Sequence, residues 1–89
     1  MRAIVTVIGK DRVGIIARVC SILAEKGVNV LDISQTVLQE YFTMIMLVDV
    51  SVCDIPFAEL AEVLHAEGEK EALNIRIQRE DIFEAMHRI

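Results

Sequence analysis

The chain has 89 residues, 54% of them hydrophobic and 26% charged, and a formal net charge of −5 at pH 7. This length allows one domain, and the negative charge argues against broad contact with phosphate backbones, so we expect no nucleic-acid partner. No apolar run reaches the roughly 18 residues of a membrane span and no basic, hydrophobic leader opens the chain, so we expect no membrane association and a cytoplasmic location.

The first two predicted elements are a strand and a helix joined by a glycine-bracketed loop. Residues 2–8 are apolar or β-branched at nearly every position, which predicts a central strand covered on both faces. Apolar residues then recur at helical spacing along residues 15–26, and Gly27 stands where a helix C-cap belongs. The apolar face of this helix is formed by Ile15, Ile16, Val19, Cys20, Ile22 and Leu23.

The next two elements are predicted as a β-hairpin. Residues 29–39 alternate imperfectly between apolar and polar, which predicts an edge strand or a strand with a bulge. Residues 42–50 are apolar on both faces and predict a second central strand. The turn at residues 38–41 contains neither glycine nor asparagine, so it is inferred only from the strand beyond it.

Asp54 and Pro56 predict the start of a second helix. Gly68 lies on the apolar stripe of this helix, where it either ends the helix or allows close approach to the sheet; we expect a helix that continues to about residue 72. Alternation of apolar and polar residues from 73 to 78 predicts a half-exposed edge strand. The inward stripe of the second helix consists of Phe57, Leu60, Ala61 and Leu64.

The last residues, 81–89, place apolar side chains along one helical face, and so short a helix needs a docking surface. The resulting element order predicts an α+β fold, the ferredoxin-like βαββαβ sandwich with an antiparallel four-stranded sheet plus a short C-terminal helix. Right-handed crossovers then place the first and third strands in the centre. Both main helices cover one sheet face, so a second protomer or the terminal helix should cover the other, and we expect a homodimer or higher homo-oligomer.

No pattern in the chain indicates catalysis, a cofactor or a metal site. His65 and His87 lie in predicted helices far apart in sequence, and no nucleophile is signalled beside either. Cys20 and Cys53 are too far apart to form a redox or zinc pair, and we interpret both as reduced, half-buried residues. The predicted protein is therefore not an enzyme.

An enzymatic alternative comes from a second resemblance. A ferredoxin-like fold with an arginine in the first loop resembles acylphosphatase, which holds a phosphate on backbone amides and uses an arginine and an asparagine. Arg12 or Arg18 could supply the arginine. The expected glycine-rich loop and the asparagine of the third strand are missing.

The first loop allows two interpretations from its residues alone. As a polar turn, Lys10, Asp11 and Arg12 would be solvated and Asp11 would cap the helix. As a binding loop, the flanking glycines would let a ligand approach closely, and the free N–H groups of the helix would attract an anion such as a carboxylate. Asn29, soon after Gly27, is equally consistent with ordinary turn chemistry.

Two segments together resemble the ACT domain family. Residues 9–15 (GKDRVGI) are similar to the family's loop motif G-x-D/N-R-P-G-hydrophobic, with Val13 in place of the usual proline. Residues 27–30 (GVNV) are similar to the G-V/I-N-I/V segment that enters the second strand, at the family's spacing. The resemblance covers an ACT domain at residues 1–80, with 81–89 as its helical tail. Small stand-alone prokaryotic ACT proteins are similar, among them those of the glycine-cleavage-system repressor type.

The resemblance implies a non-catalytic regulatory protein that binds a small ligand, usually an amino acid, at a subunit interface. The ligand would lie by the first loop and helix N-terminus of one chain and near the second strand of another. By position, Asp11 and Asn29 correspond to polar ligand contacts and Gly14 to the glycine of close approach. The whole predicted site comprises Gly9, Lys10, Asp11, Arg12, Val13, Gly14, Ile15 and Asn29.

Such a site has chemistry that suits an α-amino acid. Its carboxylate fits the helix N–H groups and Arg12, and its ammonium fits Asp11 or the side-chain oxygen of Asn29. The expected partners are a second copy of the chain, the amino acid, and a regulated enzyme or transcription regulator acting in trans. An alternative of another class is a protein-interaction or dimerisation module that binds no metabolite.

Overall fold

The computed structural model describes residues 1–86, which form four strands and three helices in the predicted order. The first helix ends at residue 25, one residue before its predicted end. The last helix begins at residue 80, directly after the fourth strand and one residue before its predicted start. Of the predicted tail residues, His87 and Ile89 lie outside the described part of the chain. The elements are β1 (Arg2–Lys10), α1 (Ile15–Glu25), β2 (Asn29–Leu38), β3 (Tyr41–Asp49), α2 (Phe57–Lys70), β4 (Leu73–Arg79) and α3 (Glu80–Met86).

The four strands form one antiparallel sheet in the order β2-β3-β1-β4. The two strands with apolar residues on both faces, β1 and β3, are central, as predicted. The bulge expected in β2 lies between Val30 and Asp32, where the register with β3 shifts. The predicted α+β, ferredoxin-like fold is therefore confirmed.

The core lies between one face of the sheet and the helices α1 and α2. Alternate side chains of β1 and β3 point into it, because successive residues of a strand face opposite sides. The other face is less covered: Ile8 is 49% and Ile45 43% exposed. Helix α3 packs against β1 and β4, and these two isoleucines remain accessible. The central strands contribute Ala3, Val5, Val7, Phe42, Met44, Met46 and Val48 to the core.

The two main helices end in ways that reflect their sequences. Helix α1 ends with the N–H of Gly27 donating to Ala24 and that of Val28 donating to Leu23, a Schellman motif, and the predicted C-cap glycine has φ 75°. Helix α2 ends at Lys70, two residues earlier than expected. It also starts differently, because Pro56 occupies the N-cap position and no described side chain caps this end.

Candidate functional site

The loop of residues 11–14 connects β1 to α1 and is held at both ends. At its start the backbone N–H of Asp11 donates to the carbonyl of Glu40, at 2.7 Å, which joins the loop to the β2–β3 turn. At its end Gly14 has φ 90°, a left-handed conformation that favours glycine. The first helical hydrogen bond runs from the N–H of Arg18 to the carbonyl of Gly14, at 2.9 Å.

The alternative in which Asp11 caps α1 is wrong. The N-cap residue is Gly14, and no side chain among residues 1–86 caps this helix. The helix starts three residues after Asp11, at the left-handed turn of Gly14, and the Asp11 side chain makes no capping hydrogen bond. The backbone N–H groups of the first helical turn therefore stay available to an anion.

A groove of about 320 Å³ lies between this loop, the first turn of α1 and strand β2. One wall comes from the loop and helix, and the other from β2 with the neighbouring β3 residue Phe42. Val37 pairs with Phe42 in the sheet register and is 47% exposed, so it presents apolar surface to the groove. The lining residues are Asp11, Arg12, Gly14, Ile15, Ile16, Ala17, Gln35, Val37 and Phe42.

On the other side of the loop, two arginines point toward the end of α2. The guanidinium of Arg12 donates to the backbone carbonyl of Glu71. Arg18 lies 3.5 Å from a carboxylate oxygen of Glu67 and 3.6 Å from one of Glu71. These contacts hold the loop against the α2–β4 connection. They also engage Arg12 and Arg18, either of which could supply the single arginine of an acylphosphatase-like site.

The structure distributes the predicted site residues unevenly. Asp11, Arg12, Gly14 and Ile15 line the groove. Val13 is fully exposed and lines a smaller pocket of about 120 Å³ between the loop and Glu71.

The remaining predicted residues lie elsewhere. Gly9 sits within β1, where a Cβ atom would lie 2.5 Å from the Leu73 side chain, so its role is close packing against β4. Lys10 is the exposed last residue of β1. Asn29 pairs with Asp49 at the opposite end of the sheet from the loop, so one chain alone does not bring Asn29 to the groove.

Five residues that line the groove are absent from the predicted site: Ile16, Ala17, Gln35, Val37 and Phe42. The sequence pattern assigns Ile16 only to the apolar face of α1, and Gln35, Val37 and Phe42 only to the hairpin. Strand residues share a face at every second position, so a known pairing of β2 with β3 would have indicated that Gln35 and Val37 face the helices. The bulge after Val30 obscured this alternation.

Strand β2 forms one edge of the sheet and is unusually open. None of its ten residues is buried. Ile33 and Val37 lie on the helix side of the sheet, in register with Met46 and Phe42, yet are 39% and 47% exposed. An edge strand this long, with apolar side chains and unpaired backbone groups, is a template for pairing with another chain.

Two pKa shifts lie at the end of the sheet far from the loop. Hydrogen bonds from the hydroxyl of Ser51, at 2.5 Å, and from its backbone N–H, at 2.8 Å, lower the pKa of Asp49. A bidentate pair with Glu80 raises the pKa of Arg2 and anchors the start of α3 to β1. Neither group faces the groove.

Other candidate chemistry is sparse. Within residues 1–86, no group of three or more His, Cys, Asp or Glu side chains is arranged to hold a metal ion. His65 is exposed on α2 and lies 2.6 Å from Glu69, and Cys20 and Cys53 are free, half-buried thiols as predicted. Of the helices in the described part of the chain, none is long and apolar enough to span a bilayer.

Known proteins resemble this chain over its full length. Residues 2–78 match the family model of the ACT domain. A UPF0237 protein of Clostridium acetobutylicum is 56% identical over 89 residues, 100% of both chains. The solved structure of an ACT domain protein from Streptococcus pneumoniae has 48% identity and a TM-score of 0.83, with 98% of each chain covered. A candidate glycine cleavage system transcriptional repressor has 23% identity and a TM-score of 0.72 over 86% of this chain and 44% of its own, a likeness of fold alone.

Proposed function

The chain belongs to the ACT domain family, a family of regulatory ligand-binding domains, and from this premise we propose that it binds an amino acid at the interface of a homodimer. The observation that carries the proposal is the groove beside the first loop. Its polar part offers the negative charge of Asp11 and the partial positive charge of the uncapped start of α1, whereas the Arg12 guanidinium is held by the carbonyl of Glu71. An α-amino acid has an ammonium to pair with the negative charge and a carboxylate to pair with the positive end of the helix.

Strand β2, which supplies part of the groove lining, is a free edge of the sheet, and this edge supports a dimer. Antiparallel pairing of two β2 strands about a two-fold axis would join the two sheets into one of eight strands and satisfy the free backbone groups. It would also cover the exposed side chain of Ile33, near the middle of β2.

The same pairing explains the position of Asn29. In an antiparallel pair, the start of one strand lies beside the end of the other. Asn29 of the partner subunit would therefore approach the end of β2 near the loop that carries Asp11. The ligand would contact both subunits and stabilise the dimer by mass action.

We also propose where the protein acts and which kind of protein receives its signal. We place the protein in the cytoplasm, where free amino acids are abundant. Ligand binding would increase the population of the dimer. An enzyme or a transcription regulator acting in trans would receive the signal by recognising that dimer.

A thermal-shift scan of the purified protein against each of the twenty amino acids tests the proposal. A ligand at ten times its dissociation constant stabilises by about 1.4 kcal/mol, which corresponds to a rise in Tm of roughly 5–10 °C for a chain of this size. The double variant Asp11→Ala with Asn29→Ala should lose this rise. The control Asp54→Ala with Asn74→Ala removes an exposed acid and an exposed strand asparagine outside the groove, and should keep it.

The open β2 edge equally fits a dimerisation module without a metabolite, and the same experiment separates the two functions. If no amino acid raises Tm at millimolar concentration while the protein remains dimeric, the metabolite proposal is wrong and the interaction module is favoured. Loss of stability in the double variant without any ligand response would point to a structural role for Asp11 and Asn29.

A further inference from the structure

The two ends of the groove differ in chemistry. Asp11 and the first turn of α1 form a polar end, since the Arg12 guanidinium is turned toward Glu71. Toward β2 the walls become apolar, with Ile16 on the helix side and Val37 and Phe42 on the sheet side. A ligand held at the polar end by its charged groups would direct its remaining atoms along these apolar walls.

The charges in the groove are few. Asp11 and Arg12 are the charged members of the lining, and the Arg12 guanidinium already donates to the carbonyl of Glu71. An α-amino acid would therefore place its ammonium at Asp11 and its carboxylate at the free N–H groups of α1. A third charge on the ligand side chain would meet only neutral groups, and a charge that leaves water without a partner is strongly disfavoured. The remaining lining residues are Gly14, Ile15, Ile16, Ala17, Gln35, Val37 and Phe42.

The size of the groove also restricts the ligand. Its volume of about 320 Å³ is at the lower end of the usual range for small-molecule sites, roughly 300–1,000 Å³. Ile15 and Phe42 are each only 3% exposed, so they form a closed floor. Val37, at 47%, keeps accessible apolar surface that a ligand side chain can cover.

We propose that the groove selects amino acids with an uncharged aliphatic side chain, such as leucine, isoleucine, valine and methionine, and that Val37 determines this specificity. The inference rests on the proposed function and names the ligand class of the same site. Gln35 is a neutral neighbour of the apolar wall and makes a hydrogen-bonding ligand, such as glutamine or serine, the competing choice.

Titration calorimetry on the full chain tests this with ligands matched in shape. Leucine and aspartate have similar branching, and norleucine and lysine have similar length, so each pair differs mainly in charge. We expect leucine and norleucine to bind at least ~10-fold more tightly than their charged counterparts. Tighter binding of aspartate, lysine, serine or glutamine would overturn the specificity and leave amino-acid binding intact. If none of the amino acids bound, both proposals would fail.

A near-isosteric variant tests the role of Val37. Val37→Thr keeps the shape of the side chain and adds a hydroxyl, so leucine affinity should fall by ~5–10-fold, about the discrimination that one polar change in an apolar pocket gives. Sedimentation of the variant must match that of the parent protein, which separates ligand contact from dimerisation. Thr36→Val, on the opposite face of the same strand, should leave leucine affinity unchanged. Equal leucine binding by Val37→Thr and the parent would rule out Val37 as the determinant.

Discussion

The backbone N–H of Asp11 donates to the carbonyl of Glu40 across 2.7 Å, and this bond fixes the first loop to the tip of the β2–β3 hairpin. The geometry of that two-residue turn therefore sets the position of one wall of the groove relative to the other. Gln39, the first residue of the turn, has φ 56°, a left-handed conformation that non-glycine residues adopt at a cost.

Gln39→Gly should stabilise the protein by about 0.5 kcal/mol. Relief of the left-handed conformation gives about 1 kcal/mol, and the greater freedom of glycine in the unfolded chain removes part of that gain. Urea denaturation of both proteins measures the difference. Glu40→Gly serves as the control, because Glu40 has no positive φ and the change should bring no gain. A Gln39→Gly variant less stable than its parent would contradict the strain at this turn.

Ile33→Lys should weaken the proposed dimer. Ile33 is 39% exposed in the single chain, so the fold should tolerate lysine, but pairing across the two-fold axis would bring the two added charges together. Sedimentation velocity at micromolar concentration should show a shift to monomer. Asn74→Lys places the same charge on the other edge strand, β4, and should leave the parent's sedimentation coefficient unchanged. The same result for Ile33→Lys would exclude the β2 edge as the interface.

Much of the fold could be predicted because the strongest signals in the sequence are periodic. Strands apolar on both faces proved central, and the resemblance to the ACT family drawn from residues 9–15 and 27–30 is confirmed. The groove was harder to predict. The left-handed turn at Gly14 removed the expected cap by Asp11, and the bulge in β2 obscured which residues face α1. Asn29 lies far from the loop because α1 carries the chain back to the opposite end of the sheet before β2 begins. How a second chain would bring Asn29 to the loop is not specified by the sequence of one chain.

Ser51→Ala should make the protein less stable near neutral pH, and the difference from the parent should disappear in acid, where Asp49 is protonated in both proteins. The Ser51 hydroxyl and N–H stabilise the charged form of Asp49, so its folded-state pKa lies below the ordinary value of 3.8. A lowered pKa contributes stability above the unfolded value, and this contribution is lost as pH falls through the folded value. In an NMR titration of the Asp49 carboxyl carbon, the variant's midpoint should move up toward 3.8. Ser21→Ala, on the exposed side of α1, should not move it.

Gly68→Ala should destabilise the protein although alanine favours helices. A Cβ at Gly68 would lie 2.8 Å from the Leu73 carbonyl oxygen and 2.9 Å from Cγ1 of Ile75, so helix and strand would have to separate. The gain in helix propensity is about 1 kcal/mol, whereas overpacking costs about 1–3 kcal/mol. We therefore expect a net loss of about 1 kcal/mol, or roughly 4–8 °C in Tm. Ala66→Gly, exposed on the same helix, calibrates the propensity difference. If Gly68→Ala gained as much stability as Ala66→Gly lost, α2 could not be packed against β4 at the distance described.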